Sequence, residues 1–285
     1  MRAHFSTLAV CVVLWFVSAA LCSASEPNRF FSISKAKSSI KVKSFARPFV
    51  VDGMAPADPS EWRSTILSSG SGSSCTATVI GRRVVLTAAH CLRTGPTISF
   101  AILGHQYTAD CSSSRSSPFD TITDYALCLT DGAVRGVKFE KVALDPAELI
   151  SASRVLLTGF GCARSLDNAY LGFQIGFADV WKKPGEVAGY PNMLKVRGGA
   201  SLCAGDSGGG AYVVREPSKV RRLVAINAKS DADTDGGVAV SSLSSLSTPG
   251  FIDFAKNWVC AEDRRSLAAS SFPMITCTLQ SVAMR

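Results

Sequence analysis

Histidine is scarce in this chain, with three among 285 residues, His4, His90 and His105. No Cys-x-x-Cys pair occurs anywhere. A structural zinc site draws its four ligands from cysteine and histidine at short spacings, so no metal and no cofactor are expected. Charged side chains are only 18% of the total, and segments with helical periodicity are few, which argues against a charged helical protein. After Leu21 no apolar run reaches the roughly 20 residues that a membrane-spanning helix needs. Basic residues interleaved with aromatics, the footprint of a nucleic-acid binder, are missing too, and no internal repeat is visible. What the chain does have is glycine, 23 residues of it, with abundant serine and valine. Such a composition fits short strands and tight turns.

The amino-terminal residues follow a secretory pattern. Met1-Arg2 gives a basic start, Leu8 to Leu21 an apolar stretch, and Ser23-Ala24-Ser25 the small residues of a cleavage site. A signal peptide over residues 1–25 is expected; an uncleaved anchor or a lipid on Cys22 fits the pattern less well. No membrane association is expected once the signal is removed. Residues 26–49 form a basic leader, with Arg29, Lys35, Lys37, Lys41, Lys43 and Arg47, and they account for much of the formal charge of +8. Residues 50–285 make the globular body. Of ten cysteines, Cys11 and Cys22 fall in the signal, which leaves eight for the exported chain. An even set in an oxidising compartment reads as disulfides, although eight cysteines allow about a hundred pairings.

Within the body, apolar runs lie at Thr76 to Ile80, Val84 to Thr87, Ile98 to Leu103, Tyr125 to Leu129, Val155 to Phe160, Gly210 to Val214 and Leu223 to Asn227. Gly, Ser, Asp and Pro clusters separate them. Short strands at such intervals predict an all-β sandwich or barrel. Phe251, Phe254, Ala255 and Trp258 share one helical face, so a closing helix is expected over Phe251 to Val259.

Two segments carry chemistry. Leu202-Cys203-Ala204-Gly205-Asp206-Ser207-Gly208-Gly209-Gly210 sets a serine among glycines, where the backbone can turn tightly beside a reactive side chain. Leu86-Thr87-Ala88-Ala89-His90-Cys91 places one of the rare histidines after an apolar strand. Peptide hydrolysis by serine needs a hydroxyl, an imidazole base, a carboxylate that orients the imidazole, and backbone N–H donors for the oxyanion. Thr-Ala-Ala-His-Cys together with Gly-Asp-Ser-Gly-Gly, in that order, resembles the trypsin-like serine protease family over roughly Val50 to Trp258. The resemblance implies two six-stranded antiparallel β-barrels with the active site between them and a carboxy-terminal helix. It implies His90 as general base and acid, Ser207 as nucleophile, and Gly205 and Ser207 as oxyanion-hole donors. Asp124, in Asp124-Tyr125-Ala126-Leu127, resembles the family's orienting aspartate; Asp120 is the nearest rival and lacks the apolar run that would bury it. His105 is read as a surface or structural histidine.

The family matures by cleavage ahead of an Ile-Val-Gly-Gly-like start, whose new amino group pairs with the aspartate before the nucleophile. Val50-Val51-Asp52-Gly53 resembles that start and Asp206 the partner, with two departures: Asp52 replaces a glycine, and Phe49, not a basic residue, precedes the cut. Cys75–Cys91 resembles the family bridge of the histidine loop. The usual partner of Cys203, near Gly237, is absent, and Cys162 is the replacement candidate. Cys111–Cys128 and Cys260–Cys277 follow by proximity and elimination. The pocket floor corresponds to Ser201, which is neutral, and Gly237 resembles a pocket-wall glycine, so a side chain other than Lys or Arg is expected before the cut. Ala228-Lys229-Ser230 stands where the family has its Ser-Trp-Gly substrate-pairing strand. Asp231 to Asp235 lacks a full calcium-loop pattern.

The expectation is a secreted monomeric endopeptidase, extracellular or periplasmic, made as a zymogen and acting on protein or peptide substrates. A catalytically silent binding protein on the same fold is the alternative, with Lys229 and the unusual start in its favour. An esterase using the same triad is a third reading.

Overall fold

The computed structural model describes residues 53–70, 73–114, 123–161, 172–235, 238–261 and 277. All belong to one compact unit. Twelve strands among the described residues form two closed antiparallel barrels of six.

The first barrel contains β1 (Thr65–Gly70), β2 (Ser73–Gly81), β3 (Val84–Thr87), β4 (Thr97–Ile102), β5 (His105–Ser113) and β6 (Ala126–Thr130). Their order around the barrel is β1-β2-β3-β6-β5-β4, closed by pairing of β1 with β4. Ile66, Ala77, Val79, Val85, Ile98, Phe100, Tyr107 and Ala109 fill its interior. On β4 and β5 they alternate with more exposed positions, as expected for strands buried on one face, whereas β3 is buried throughout, with Val84 and Leu86 in the cluster between the barrels. Leu103 and Gly104 close the β4–β5 hairpin with φ of 50° and 80°. Two left-handed residues are what a two-residue type I′ turn needs.

The second barrel contains β7 (Arg154–Gly159), β8 (Gln174–Lys182), β9 (Met193–Gly199), β10 (Gly210–Arg215), β11 (Val220–Asp235) and β12 (Val238–Ser245). It runs β10-β11-β12-β9-β8-β7 and closes through β10 and β7. Val155, Leu157, Leu194, Val196, Val224 and Leu243 lie in its core. A third cluster joins the barrels, with Trp62, Leu86, Tyr125, Leu127, Tyr212, Ile226 and Phe251.

The linker between the barrels is zipped to both. Glu140 N–H donates to Val79 carbonyl at 3.1 Å, and Ala143 N–H to Leu223 carbonyl at 2.9 Å. Glu140 is buried and accepts from Ser64 Oγ at 2.5 Å and from Arg221 Nε and Nη2 at 3.0 and 2.6 Å. Arg221 stacks 3.8 Å above the Trp62 ring. A carboxylate out of water requires such a partner, and here it locks the start of the first barrel to β11 of the second.

One short helical turn, α1 (Ala147–Ile150), sits in the linker, and α2 (Pro249–Cys260) closes the described chain. The predicted face of α2 is the one that packs. Phe251 meets Tyr125 edge-on at 5.0 Å, and Phe254 lies 5.4 Å from the same ring. The runs read as strands correspond to β2, β3, β4, β6, β7, β10 and part of β11. No helix among the described residues is long and apolar enough to cross a membrane.

Candidate active site

Strand register brings the histidine and the aspartate together. β3 and β6 pair antiparallel, with Thr87 opposite Ala126. The residues leaving β3 and those entering β6 therefore share one end of the barrel. His90 lies there in a 3₁₀ turn, Ala89–Leu92, and Asp124 lies two residues before β6. Asp124 is 4% exposed. Its Oδ1 accepts from the His90 backbone N–H at 2.9 Å, and its Oδ2 lies 2.7 Å from His90 Nδ1. An ionised carboxylate only accepts, so the ring proton sits on Nδ1 and Nε2 is the nitrogen with a lone pair. Tyr125, fully buried between Phe251 and Phe254, anchors the neighbouring position. Asp120 lies outside the described residues, and His105 is exposed at the start of β5.

The Ser207 loop reaches the same end of the barrel from the other side. Cys203 to Asp206 forms a turn in which Asp206 N–H donates to Cys203 carbonyl at 3.1 Å. Gly205 occupies its third position with φ 98°, the left-handed place that a type II turn gives to glycine. The Ser207 carbonyl accepts from Thr76 N–H at 2.8 Å and lies 3.9 Å from Cys91 Sγ. Thr76 follows Cys75, and Cys75 is bonded to Cys91, the residue after His90. One disulfide therefore holds the histidine turn against the strand that binds Ser207. Both sulfurs near His90 are in that bridge, which leaves no thiolate for a metal ion there. Among the described residues, the N–H groups of Gly205 and Ser207 donate to no protein acceptor.

The glycines beside Ser207 answer to close neighbours. A Cβ on Gly208 would meet Thr87 Oγ1 at 2.2 Å and Thr76 carbonyl at 2.3 Å, and one on Gly209 would meet Thr158 carbonyl at 2.2 Å. Asp206 turns inward and is 1% exposed. Its carboxylate accepts from Gly161 N–H and Cys203 N–H, both at 2.8 Å. A Cβ on Gly159 or Gly161 would strike that carboxylate at 2.0 and 2.5 Å. Burial pushes the Asp206 carboxyl up to about 6, and the two N–H donors only partly offset it. No cation among the described residues touches it.

Cys111 is joined to Cys128 and Cys260 to Cys277. Cys203 is disulfide-bonded, and its expected partner Cys162 lies outside the described residues. So do Val50 and Gly237. Ser201 and Ala228 are buried and Ser230 is exposed. Asp231 to Asp235 belong to β11. The residue that meets the segment after Ser201 is Ser241 on β12, whose hydroxyl accepts from Leu202 N–H at 2.9 Å. Four side chains not singled out from the sequence hold the Ser207 neighbourhood: Thr76 Oγ1 donates to the Gly205 carbonyl, Thr158 Oγ1 to the Gly210 carbonyl and Asn227 Nδ2 to the Asp206 carbonyl, and Ser241 Oγ accepts from Leu202 N–H. Asn227 offered a signal, being a lone amide at the end of the apolar run Leu223-Val224-Ala225-Ile226.

Two closed six-stranded β-barrels with one short carboxy-terminal helix define the chymotrypsin fold, the architecture of a class of serine proteases. The Trypsin family model matches residues 50–243, and the chain belongs to that family. A search of curated proteins finds no match.

Proposed function

We propose that this chain is the precursor of an exported serine endopeptidase whose catalytic groups are His90, Asp124 and Ser207. The observation that carries the reading is the pair of hydrogen bonds from His90, ring and backbone, to the Asp124 carboxylate, beside a serine loop anchored to the adjoining strand. Such an arrangement fixes the tautomer in which Nε2 can accept a proton.

The chemistry follows in two halves. His90 Nε2 takes the Ser207 hydroxyl proton as Oγ attacks the scissile carbonyl. The resulting oxyanion is stabilised by the N–H groups of Gly205 and Ser207, and Asp124 stabilises the imidazolium. His90 then protonates the leaving amine, and an acyl-enzyme forms. Water then attacks the acyl carbonyl as His90 takes its proton, and as the C–Oγ bond breaks His90 returns that proton to Ser207 Oγ, releasing the acid. Ser201 gives the specificity pocket an uncharged floor, with Ala228, Ser230 and Gly237 as further substrate-binding positions. Ser241 adds a second hydroxyl beside that floor. A side chain before the cut other than Lys or Arg is favoured, since the floor residue Ser201 carries no charge to pair with a cation.

Activation is by cleavage before Val50, after which the new ammonium pairs with Asp206. Two observations support it. Asp206 is a buried carboxylate with no cation beside it among the described residues, which is costly unless a positive group arrives. Met54 exchanges backbone bonds with Ile175 at 2.8 and 2.9 Å, and Ile175 is paired with Thr158, next to the glycines that wrap Asp206. Four residues reach at most about 14 Å, so Val50 is tethered within range of that end of β7. The signal peptide over 1–25, the leader over 26–49, export and the monomeric state complete the proposal.

The deciding test uses chain processed to a free Val50 amino group. Wild type should cleave denatured protein and label with a fluorophosphonate at Ser207. Ser207→Ala should lose about 10⁶-fold in kcat and all labelling. A processed, folded wild type that neither cleaves nor labels would leave the silent binding protein as the reading.

A further inference from the structure

The peptide groups around Ser207 are gripped from both barrels by two buried polar side chains. Thr76, on β2 of the first barrel, is wholly buried. Its hydroxyl donates to the Gly205 carbonyl at 2.7 Å and accepts from Phe160 N–H at 3.0 Å, while its own N–H holds the Ser207 carbonyl at 2.8 Å. Thr87 Oγ1 in turn donates to the Thr76 carbonyl at 3.0 Å. Asn227, on β11 of the second barrel, is also wholly buried. Its Nδ2 donates to the Asp206 carbonyl at 3.1 Å and to the Thr158 carbonyl at 2.9 Å. Three consecutive carbonyls, those of residues 205, 206 and 207, are thus each held by one of these two residues.

A trans peptide is planar, with its C=O and N–H pointing in opposite directions. Fixing the Asp206 carbonyl from behind therefore aims the Ser207 N–H. Fixing the Gly205 and Ser207 carbonyls sets the peptide planes on either side. Gly205 supplies no side chain to resist rotation, and its φ of 98° is open to many alternatives. The turn has little of its own to keep it in one state. Gly209 completes the arrangement, because a Cβ there would sit 2.9 Å from Asn227 Nδ2 and 3.0 Å from the Asp206 carbonyl.

We propose that Thr76 and Asn227 are positioning residues, a two-sided clamp that fixes the peptide planes on both sides of Ser207 and so holds the Ser207 N–H in the orientation that receives the oxyanion, with Gly205 steadied through its own carbonyl. The inference rests on the protease reading above and goes beyond it. Neither residue need touch the substrate. Their contribution is to the transition state, since a misaimed N–H loses the charge that develops on the carbonyl oxygen and leaves ground-state binding intact.

The experiment compares processed wild type with Thr76→Val, Thr76→Ser and Asn227→Leu. Thr76→Val keeps the shape and removes the hydroxyl. Thr76→Val and Asn227→Leu are each expected to lower kcat by about 10- to 100-fold, less than outright loss of an oxyanion donor, with KM within about twofold. Affinity for a peptide boronate, which mimics the tetrahedral state, should fall with kcat. Thr76→Ser should restore both. Ile98→Val, in the first-barrel core away from the loop, serves as a destabilised control and should leave kcat unchanged. If Thr76→Val does not fold, Asn227→Leu carries the same comparison from the other barrel. The clamp is overturned if the folded variants keep wild-type kcat and boronate affinity, or if KM rises while kcat stays. An inactive processed wild type would instead remove the protease reading, so the two failures are distinguishable.

Discussion

The two barrels hold their halves of the site by different means. In the first, two disulfides, Cys75–Cys91 and Cys111–Cys128, cross-link neighbouring elements. The strands beside the site, β3 and β6, are buried along almost their whole length, and His90 and Asp124 sit where these two paired strands end. In the second, the strands near the site are rich in small polar residues, with Ser241, Ser242, Ser244 and Ser245 of β12 all buried. The Ser207 loop there is held by buried hydrogen bonds and by glycines whose neighbours leave no room for a Cβ. The first barrel holds the proposed base by disulfides and apolar packing, while around the proposed nucleophile the second adds to the disulfide at Cys203 a set of buried polar contacts. Buried polar networks are rigid when complete and costly when one member is lost. Perturbing the first barrel should therefore act on proton transfer. Perturbing the second should act on loop geometry and on its response to pH.

The sharpest break of that contrast is Asp124→Asn in processed enzyme. The amide keeps the shape, but it can donate to Nδ1 and so favours the tautomer with the proton on Nε2. A fall in kcat of about 10⁴-fold is expected, measured on a peptide substrate at neutral pH, with thermal stability little changed. A loss below tenfold would show that the hydrogen bond to the His90 backbone, not the ring contact, is what matters.

Next in size comes the seam. Glu140→Ala leaves Arg221 in a largely buried position with its counter-charge gone. Removing one partner of a buried pair costs about 3–5 kcal/mol. Chemical denaturation of the precursor should show a loss of that order. A replacement of both residues by apolar side chains of similar volume should recover most of it. If the single and double variants are equally destabilised, the pair does not act as a unit.

The third prediction separates the barrels by pH. Burial raises the Asp206 carboxyl from 3.8 to about 6 in the folded precursor. The folded state then binds this proton more tightly than the unfolded chain does. The Asp206 contribution favours folding most strongly below about pH 4 and is lost as pH rises to about 6. Two units correspond to roughly 3 kcal/mol. Denaturation of precursor and of Asp206→Asn should therefore differ in pH slope over that window, the variant being flatter. Processing should reverse the sign for wild type, because a paired ammonium lowers the carboxyl. An identical slope in precursor and variant would mean that Asp206 does not carry the titration.

How much of this was legible beforehand depended on where the physics leaves a mark in the chain. The histidine and serine segments were legible because their constraints are local: a strand ending in a turn, and glycines beside a reactive residue. Strands with apolar runs, such as β3 and β7, were equally readable. β1, β5, β8, β9 and β12 were not assigned as strands. In β1 and β12 the buried positions hold residues such as Ser68, Ser241 and Ser242, which lower the apolar contrast on which the period is read. Thr76 leaves no mark in the sequence, and Asn227 only that of a lone amide ending an apolar run, for a related reason. Each acts through partners more than twenty positions away or on the other barrel, and nothing in a single sequence records the meeting. The specificity segment was the least readable. Beside Ser201, the expected pocket floor, Leu202 bonds to Ser241 of β12, which comes forty residues on and is in register with β9 and β11.

The smallest effect predicted lies far from the chemistry, at the β4–β5 hairpin of the first barrel. Leu103 adopts φ 50° and is 57% exposed. A left-handed backbone costs a residue with a bulky Cβ substituent about 1 kcal/mol, and burial of this side chain returns little. Asparagine is tolerated there and, followed by Gly104, forms the pair that type I′ turns favour. Leu103→Asn should stabilise the protein by roughly 0.5–1 kcal/mol, raising its melting temperature by a few degrees, with kcat unchanged. If the substitution instead destabilises, the contact of Leu103 with the backbone at Gly136 matters more than the turn. The hairpin would then be held by its side chain, and the first barrel would depend on packing even where its chain turns in solvent.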